Sequence, residues 1–307
     1  MAIADKDSSK VLLSLNWDDD APEIRFSTNN LTGWDIESAI NLQLDYQIPD
    51  STNRICLGHV AMSRGGSTFK ICPGKPQKGR KCSKCLAADG HYAANLHHAH
   101  TKDISDLPEE FRAHMQQPNF LYLASFGDGS LKVGTTTSHR KDRRLKEQGA
   151  LWAVIVAKTV DGFAVRVLED LVTKELSIGQ AISTKKKIAG ILNPIDQLKA
   201  QESLKSAFSE VEKLLTKTKS IEYELLGSEW ENDRYESGLW NDVHLYPRSL
   251  SAGAHSLQIL DVIGRICAIS PKNSSDVFIA DLDPLFGVVL ETGHFPTEEL
   301  LVQDALF

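Results

Sequence analysis

Cys56, Cys72, Cys82 and Cys85 fall within thirty residues, and the last two form a CxxC pair in "KCSKC". A CxxC pair grips one metal ion through a tight turn, and zinc takes four soft ligands in a tetrahedron. Cys56 in "RICLGH" and Cys72 in "ICPGK" complete a four-thiolate set, so the spacing predicts a structural zinc. A closed set of four leaves no coordination position for water, which points to a structural and not a catalytic role. Just downstream, "HYAANLHHAH" offers His91, His97, His98 and His100, any of which can displace Cys56 or Cys72 from the ligand set. Cys267, alone in the apolar run "GRICAIS", reads as a core residue.

Two basic blocks suit a different chemistry. The stretch from Arg54 to Cys85 holds eight Lys or Arg and no acid, and a second cluster runs from Lys132 to Lys146. Residues 1–50, by contrast, hold ten Asp or Glu against three Lys or Arg, and the 307-residue chain carries a net charge of -7. Local cations on an acidic chain suit a phosphate-bearing partner, because phosphate contacts act locally and not through net charge. Lys185, Lys186 and Lys187 form a weaker candidate for contact with a phosphate backbone.

These residues need elements to hold them. "VLLSLNW" and "EIRFS" near the N-terminus read as strands, with Pro22 and the aspartates before it forming the turn. Residues 54–100 are rich in Gly, Lys, Cys and His and lack apolar periodicity, so a metal replaces the missing core there. "DISDLPEEFRAHM" reads as a short helix capped by Asp106 with Pro108 in its first turn. "NFLYLASFGDGSLKVGT" is a β-hairpin turning at Gly127-Asp128-Gly129. A helix around Lys141 to Gln148, the strand "LWAVIVAKTV" and the helix "AVRVLEDLVTKEL" follow. The order is β-β-α-β-α. A further helix covers Ile195 to Leu215, whose apolar residues recur at helical intervals. From "SIEYELL" onward the chain returns to short strands, which we expect to pack near the N-terminal ones.

"LYLASFGDGSLKVGTTTSHRKDRRLKEQG" followed by "AVRVLED" resembles the GIY-YIG nuclease domain over about 60 to 70 residues. Tyr122 matches the first motif tyrosine, and "KVG", Lys132 to Gly134, matches the second half-motif. Arg144 sits where the family carries its catalytic arginine, with Arg143 as the adjacent alternative, and Glu169 matches the metal-binding glutamate. The wider arrangement, a cysteine cluster followed by "YLA…KVG…RR…QGA", also looks like an uncharacterised bacterial family carrying a divergent form of this domain. Two departures stand out: Lys132 replaces the second motif tyrosine, and Phe120 and Leu121 stand where a glycine precedes the first.

The resemblance implies an α+β fold: a central GIY-YIG-like domain over residues 117–215, a zinc module over 54–105, and β-rich regions over 1–53 and 216–307. It implies metal-dependent phosphodiester hydrolysis on DNA or RNA, tRNA included. Glu169 would hold Mg²⁺ or Mn²⁺, and Arg144 would stabilise transition-state charge. Tyr122 would act beside the attacking water, as base or as its hydrogen-bonded positioner, with Lys132 supplying positive charge. Gly134, His139, Arg140 and Arg143 would contact substrate. Two other functions remain open: a divergent enzyme acting on a tRNA-linked or phosphorylated small substrate, and a nucleic-acid-binding protein without turnover. No stretch approaches the twenty or so apolar residues of a membrane span, and "MAIADKDSSK" lacks the apolar core of a signal peptide, so a soluble cytoplasmic protein is expected.

Overall fold

The computed structural model describes residues 9–18, 21–28, 31–63, 66–96 and 99–295. The chain opens with strands β1 (Ser9–Asp18), β2 (Ala21–Thr28), β3 (Asp35–Ser38) and β4 (Gln43–Ile48), then the hairpin β5 (His59–Ser63) and β6 (Gly66–Lys70). Helices α1 (Ser83–Leu96) and α2 (Glu109–Met115) lead into β7 (Asn119–Ser125) and β8 (Leu131–Thr137). Next come α3 (Lys141–Gln148), β9 (Trp152–Thr159), α4 (Gly162–Leu176), α5 (Thr184–Leu192), α6 (Gln197–Thr216) and β10 (Tyr223–Glu231). Strands β11 (His244–Leu245), β12 (Gly253–Ile263), β13 (Ile266–Pro271), β14 (Phe278–Asp281) and β15 (Val289–Thr292) complete it. The protein is thus mixed α+β with several sheets. Among the described residues no helix is long and apolar enough to cross a membrane.

The chain divides into two compact units: Met1–His59, Lys70–Leu86 and Gly238–Phe307 form the first, Val60–Phe69 and Ala87–Ser237 the second. The first unit is a nine-stranded sheet in the order β11-β14-β13-β12-β4-β15-β1-β2-β3. Every neighbouring pair is antiparallel except β11 and β14. Its N- and C-terminal strands therefore share one core, around Trp17, Tyr46, Leu257, Ile259 and Val288. The cysteine loop is stitched to this unit by backbone, Ile55 N–H donating to Gly287 O at 2.7 Å, and to itself by Leu57 N–H donating to Arg80 O at 3.0 Å. The four cysteines fall in the unit of the flanking strands, and β10 falls in the second unit.

In the second unit an antiparallel sheet runs β10-β9-β7-β8. Strand β7 is central and buried along its whole length. One face, with Leu121, Leu123, Val133, Val154 and Val156, packs on the apolar stripes of α4 and α6. The other carries Phe120, Tyr122, Ala124 and Ile155, and Leu145 of α3 covers it. Helix α2 is fixed by Phe111 and Met115, which pack with Phe163 of α4. Gly162 has no Cβ where the Met115 side chain lies, which lets α2 approach the start of α4. Ahead of α2, Asp103 caps a short 3₁₀ turn over Ile104–Asp106, and α2 itself begins after Pro108 without a side-chain cap. The cap expected at Asp106 is therefore one turn earlier.

Candidate functional site

The four predicted cysteine ligands meet. Their Sγ atoms all lie within 4.8 Å of one another, and Cys72 and Cys82 are 3.8 Å apart. A Zn–S bond of ~2.3 Å in a tetrahedron requires an S···S distance of about 3.8 Å, so the set can hold a metal such as zinc. Outer donors already point at the sulfurs: Cys82 N–H donates to Cys56 Sγ at 3.2 Å and Gly74 N–H to Cys72 Sγ at 3.4 Å. The Cys85 backbone N–H leads in holding the Cys82 thiol down at about 7, whereas burial pushes the Cys56 and Cys85 thiols up. His59 Nδ1 lies 3.4 Å from Cys85 Sγ, an outer contact that only its position three residues after Cys56 hinted at. Neither described downstream histidine joins: His91 stacks edge-on against Phe111 and His100 Nε2 pairs with Asp170 at 2.8 Å; His97 and His98 lie outside the described residues.

In the second unit, the strand pair β7–β8 sets Tyr122 directly across from Gly134. A Cβ on Gly134 would overlap the Tyr122 ring end and hydroxyl, so the glycine exists to let that ring cross the neighbouring strand. Lys132 is two residues earlier on the same face, opposite Ala124. Arg144 projects from α3, which Gly149 ends in a left-handed cap. Glu169 lies on α4 within the buried series Val165, Leu168, Glu169, Val172, where the helical repeat would place an apolar residue.

These four side chains share one electrostatic neighbourhood. Burial raises the Tyr122 hydroxyl pKa, against the pull of Arg144 and with a further push from Glu169. Tyr122 is wholly buried and its hydroxyl has no well-formed hydrogen bond, although the Arg144 guanidinium is close enough to act on it. Burial first, then Arg144 and Lys187, pull the Lys132 ammonium down to about 8, while Glu169 opposes them. Its Nζ donates to Gln148 Oε1 at 2.7 Å. Burial works against the Arg144 charge, but Tyr122 and Glu147 outweigh it and the guanidinium is held more firmly charged. Burial raises the Glu169 carboxyl pKa despite Arg166, whose Nη1 donates to Glu169 Oε2 at 2.6 Å.

The neighbouring cations are also placed. Arg140, Arg143 and Arg144 all point at one carboxylate, Glu147, at 3.0 Å, 3.0 Å and 3.4 Å. His139 is exposed at the turn before them. Lys187 lies 5.2 Å from the Phe126 ring centre. Phe120, Tyr122, Phe126 and Trp152 are buried and act as core, which leaves no stacking platform among them. Glu147, Gln148 and Arg166 were not singled out in sequence, although Arg166 stands one helical turn before Glu169.

A family comparison matches residues 59–236 to a model described as "Protein of unknown function (DUF2797)". That span is more than half of the chain. The protein belongs to the DUF2797 family. The DUF2797 match takes in the whole second sheet, with Tyr122, Lys132, Arg144 and Glu169, and three of the four cysteines, leaving Cys56 outside. No curated protein and no solved structure matches the chain.

For the divalent ion that the resemblance assigns to Glu169, the structure offers one carboxylate, which pairs with Arg166. Among the described residues, the cysteine set is the one group of three or more ligand side chains gathered closely enough for a metal. Mg²⁺ is commonly held by one or two carboxylates with water and substrate phosphate completing its octahedron, so Glu169 would be its one protein ligand here and would share its carboxylate with Arg166. What Glu169 does here is neutralise and orient Arg166.

Proposed function

We propose that the second unit is a divergent GIY-YIG-type domain that hydrolyses a phosphodiester in DNA or RNA, and that the four cysteines hold a structural zinc. The observation that carries this reading is that Tyr122 and Lys132 lie on one face of the β7–β8 pair, which α3, the helix of Arg144, covers, with Glu169 of α4 in electrostatic reach of both. Arg144 offers a planar fork to a phosphate and stays charged at any working pH. Lys132, near 8, can release or take up a proton close to neutrality, which the raised Tyr122 hydroxyl cannot. The proton-transfer role of the missing second tyrosine therefore passes to Lys132, and Tyr122 positions water or a phosphate oxygen as a hydrogen-bond donor. Lys75, Lys78 and Lys84 are exposed around the cysteines and suit further phosphate contacts, while Arg80 is paired with Asp283 at 2.5 Å.

The test is cleavage of single-stranded, branched and tRNA substrates by the purified chain with Mg²⁺ or Mn²⁺ in the buffer. Arg144→Ala and Lys132→Ala should each lose at least ~100-fold in turnover, the scale of one transition-state donor. If the parent chain cuts nothing in that panel, hydrolysis is the wrong reading. The Arg166–Glu169 pair favours one second reading, nucleic-acid binding without turnover. Salt-sensitive binding by a chain that never cleaves would support it.

A further inference from the structure

The face of the second sheet opposite Tyr122 carries a cavity that phosphodiester cleavage leaves unused. It lies between α6 and the edge strand β10 beside β9, and its volume of about 280 Å³ suits one small molecule. Trp152, Val154 and Leu204 form its apolar side, all three in the core cluster that packs α6 on the sheet. One glycine shapes it. Gly227 has a φ of +69° at the bulge of β10 between Leu225 and Ser228, and a Cβ there would meet the Phe208 ring of α6 at 3.2 Å. Phe208 therefore closes the helix onto the bulged strand at that point. Beyond it the two elements border the cavity, α6 with Leu204, Lys205 and Gln201 and β10 with Glu229 and Glu231. The strand register sets Glu229 opposite Val154 and Glu231 opposite Trp152, so both carboxylates share the face of those apolar residues. Trp152 Nε1 donates to Glu231 Oε1 at 3.0 Å, which fixes one of them. Glu229 on the strand and Lys205 on the helix line the same cavity, yet among the described residues neither makes an ion pair or a hydrogen bond. Opposite charges that border one cavity without reaching each other can be bridged by a molecule that carries both.

We propose that this cavity binds a free α-amino acid with a large apolar side chain. Its ammonium meets Glu229 and the free oxygen of Glu231, its carboxylate takes Lys205 and the Gln201 amide, and its side chain lies against Trp152, Val154 and Leu204. Two acids on the strand and a cation on the helix leave a zwitterion one orientation. A ligand with a cation alone would have Lys205 opposing it, and one with an anion alone would face two carboxylates. The site stands apart from phosphodiester cleavage, since Tyr122 and α3 lie on the other face of the sheet.

The experiment titrates the full chain with phenylalanine and leucine, and with glycine, phenethylamine and hydrocinnamate as partial ligands, by calorimetry and tryptophan fluorescence. Phenylalanine and leucine should bind. Each partial ligand should bind about tenfold or more weakly than phenylalanine, since each lacks either one charge-assisted contact or the apolar one. Glu229→Gln should weaken phenylalanine about tenfold and remove most of its advantage over hydrocinnamate, which has no ammonium. Lys205→Met should do the same to its advantage over phenethylamine, which has no carboxylate. Both side chains are exposed, so both variants should fold and keep whatever metal-dependent cleavage the parent chain shows. If both variants bind phenylalanine as the parent does, or if the parent binds neither amino acid, the site is refuted. If phenethylamine binds as tightly as phenylalanine, Lys205 has no part and the amino-acid assignment falls. Binding that persists in a chain that cleaves nothing leaves this site standing and removes only the hydrolytic reading.

Discussion

Tyr122 and Gly134 show how much one cross-strand pair specifies. The ring fills the space above the glycine, so Gly134→Ala must move either the ring or strand β8. Overpacking of this kind costs about 1–3 kcal/mol, which denaturant unfolding of the variant should show. Lys132 makes a prediction with a sign. Its folded value of about 8 lies below the ordinary 10.5, so the folded state binds this proton more weakly than the unfolded chain. Below about pH 8 both states carry the proton and the cost of burying the charge is fully present. Between about 8 and 10.5 the unfolded chain keeps a proton the folded chain has released, so stability rises with pH through that window. Lys132→Met should abolish that rise and be the more stable chain at pH 7, by about 3 kcal/mol at most. Paired unfolding curves of parent and variant at several pH values measure it. "KVG" was legible as strand, but β8 does not end at Gly134 and runs on to Thr137; the reason for the glycine was not legible, because the Tyr122 ring lies on the opposite strand.

At the scale of elements, the β-β-α-β-α order was readable because each piece carries local signals. Alternating apolar runs, the Gly127–Gly129 turn, Asp161 capping α4 and Gly149 closing α3 all act within a few residues. Helix α6 was readable as a helix but not in its facing. Its buried stripe is Ala200, Leu204, Ala207, Val211 and Leu215, whereas Leu198 is 70% exposed. Glu169 was quoted for its motif and not for its setting. Its place one turn from Val165 and Val172 makes it a carboxylate inside an apolar stripe, a local conflict of the kind that functional sites retain. Glu169→Leu should therefore stabilise the isolated fold, or leave it within about 1 kcal/mol, since Arg166 is partly exposed and can be hydrated when its partner goes. The same substitution should abolish whatever the site does. A thermal melt set beside a binding or cleavage assay checks both halves. A loss of stability above about 3 kcal/mol would mean that Glu169 serves the fold first.

For the whole molecule, the illegible part is long-range pairing. Strand β1 pairs with β15 and β4 with β12, partners more than two hundred residues apart in the chain, and no local signal specifies such register. The chain passes between its two units at 59/60, 69/70, 86/87 and 237/238, so neither unit is a continuous stretch. The cysteines lie in the short returns to the first unit, at Cys56 before the first passage and at Cys72, Cys82 and Cys85 between the second and third. A metal there ties two excursions of the backbone to one point, and the bond from Ile55 to Gly287 carries that point to the start of β15. Metal removal should therefore destabilise the first unit far beyond the loop itself, because metal-binding free energy is folding free energy where no apolar core replaces it. Chelation should lower the melting temperature of the chain and release one equivalent of zinc per chain. Cys56→Ser, outside the family match but inside the ligand set, should do the same at lower chelator concentration. If instead Cys56→Ser keeps a full equivalent of tightly held zinc, Cys56 is not a ligand, and His59 beside Cys85 is the replacement to test next.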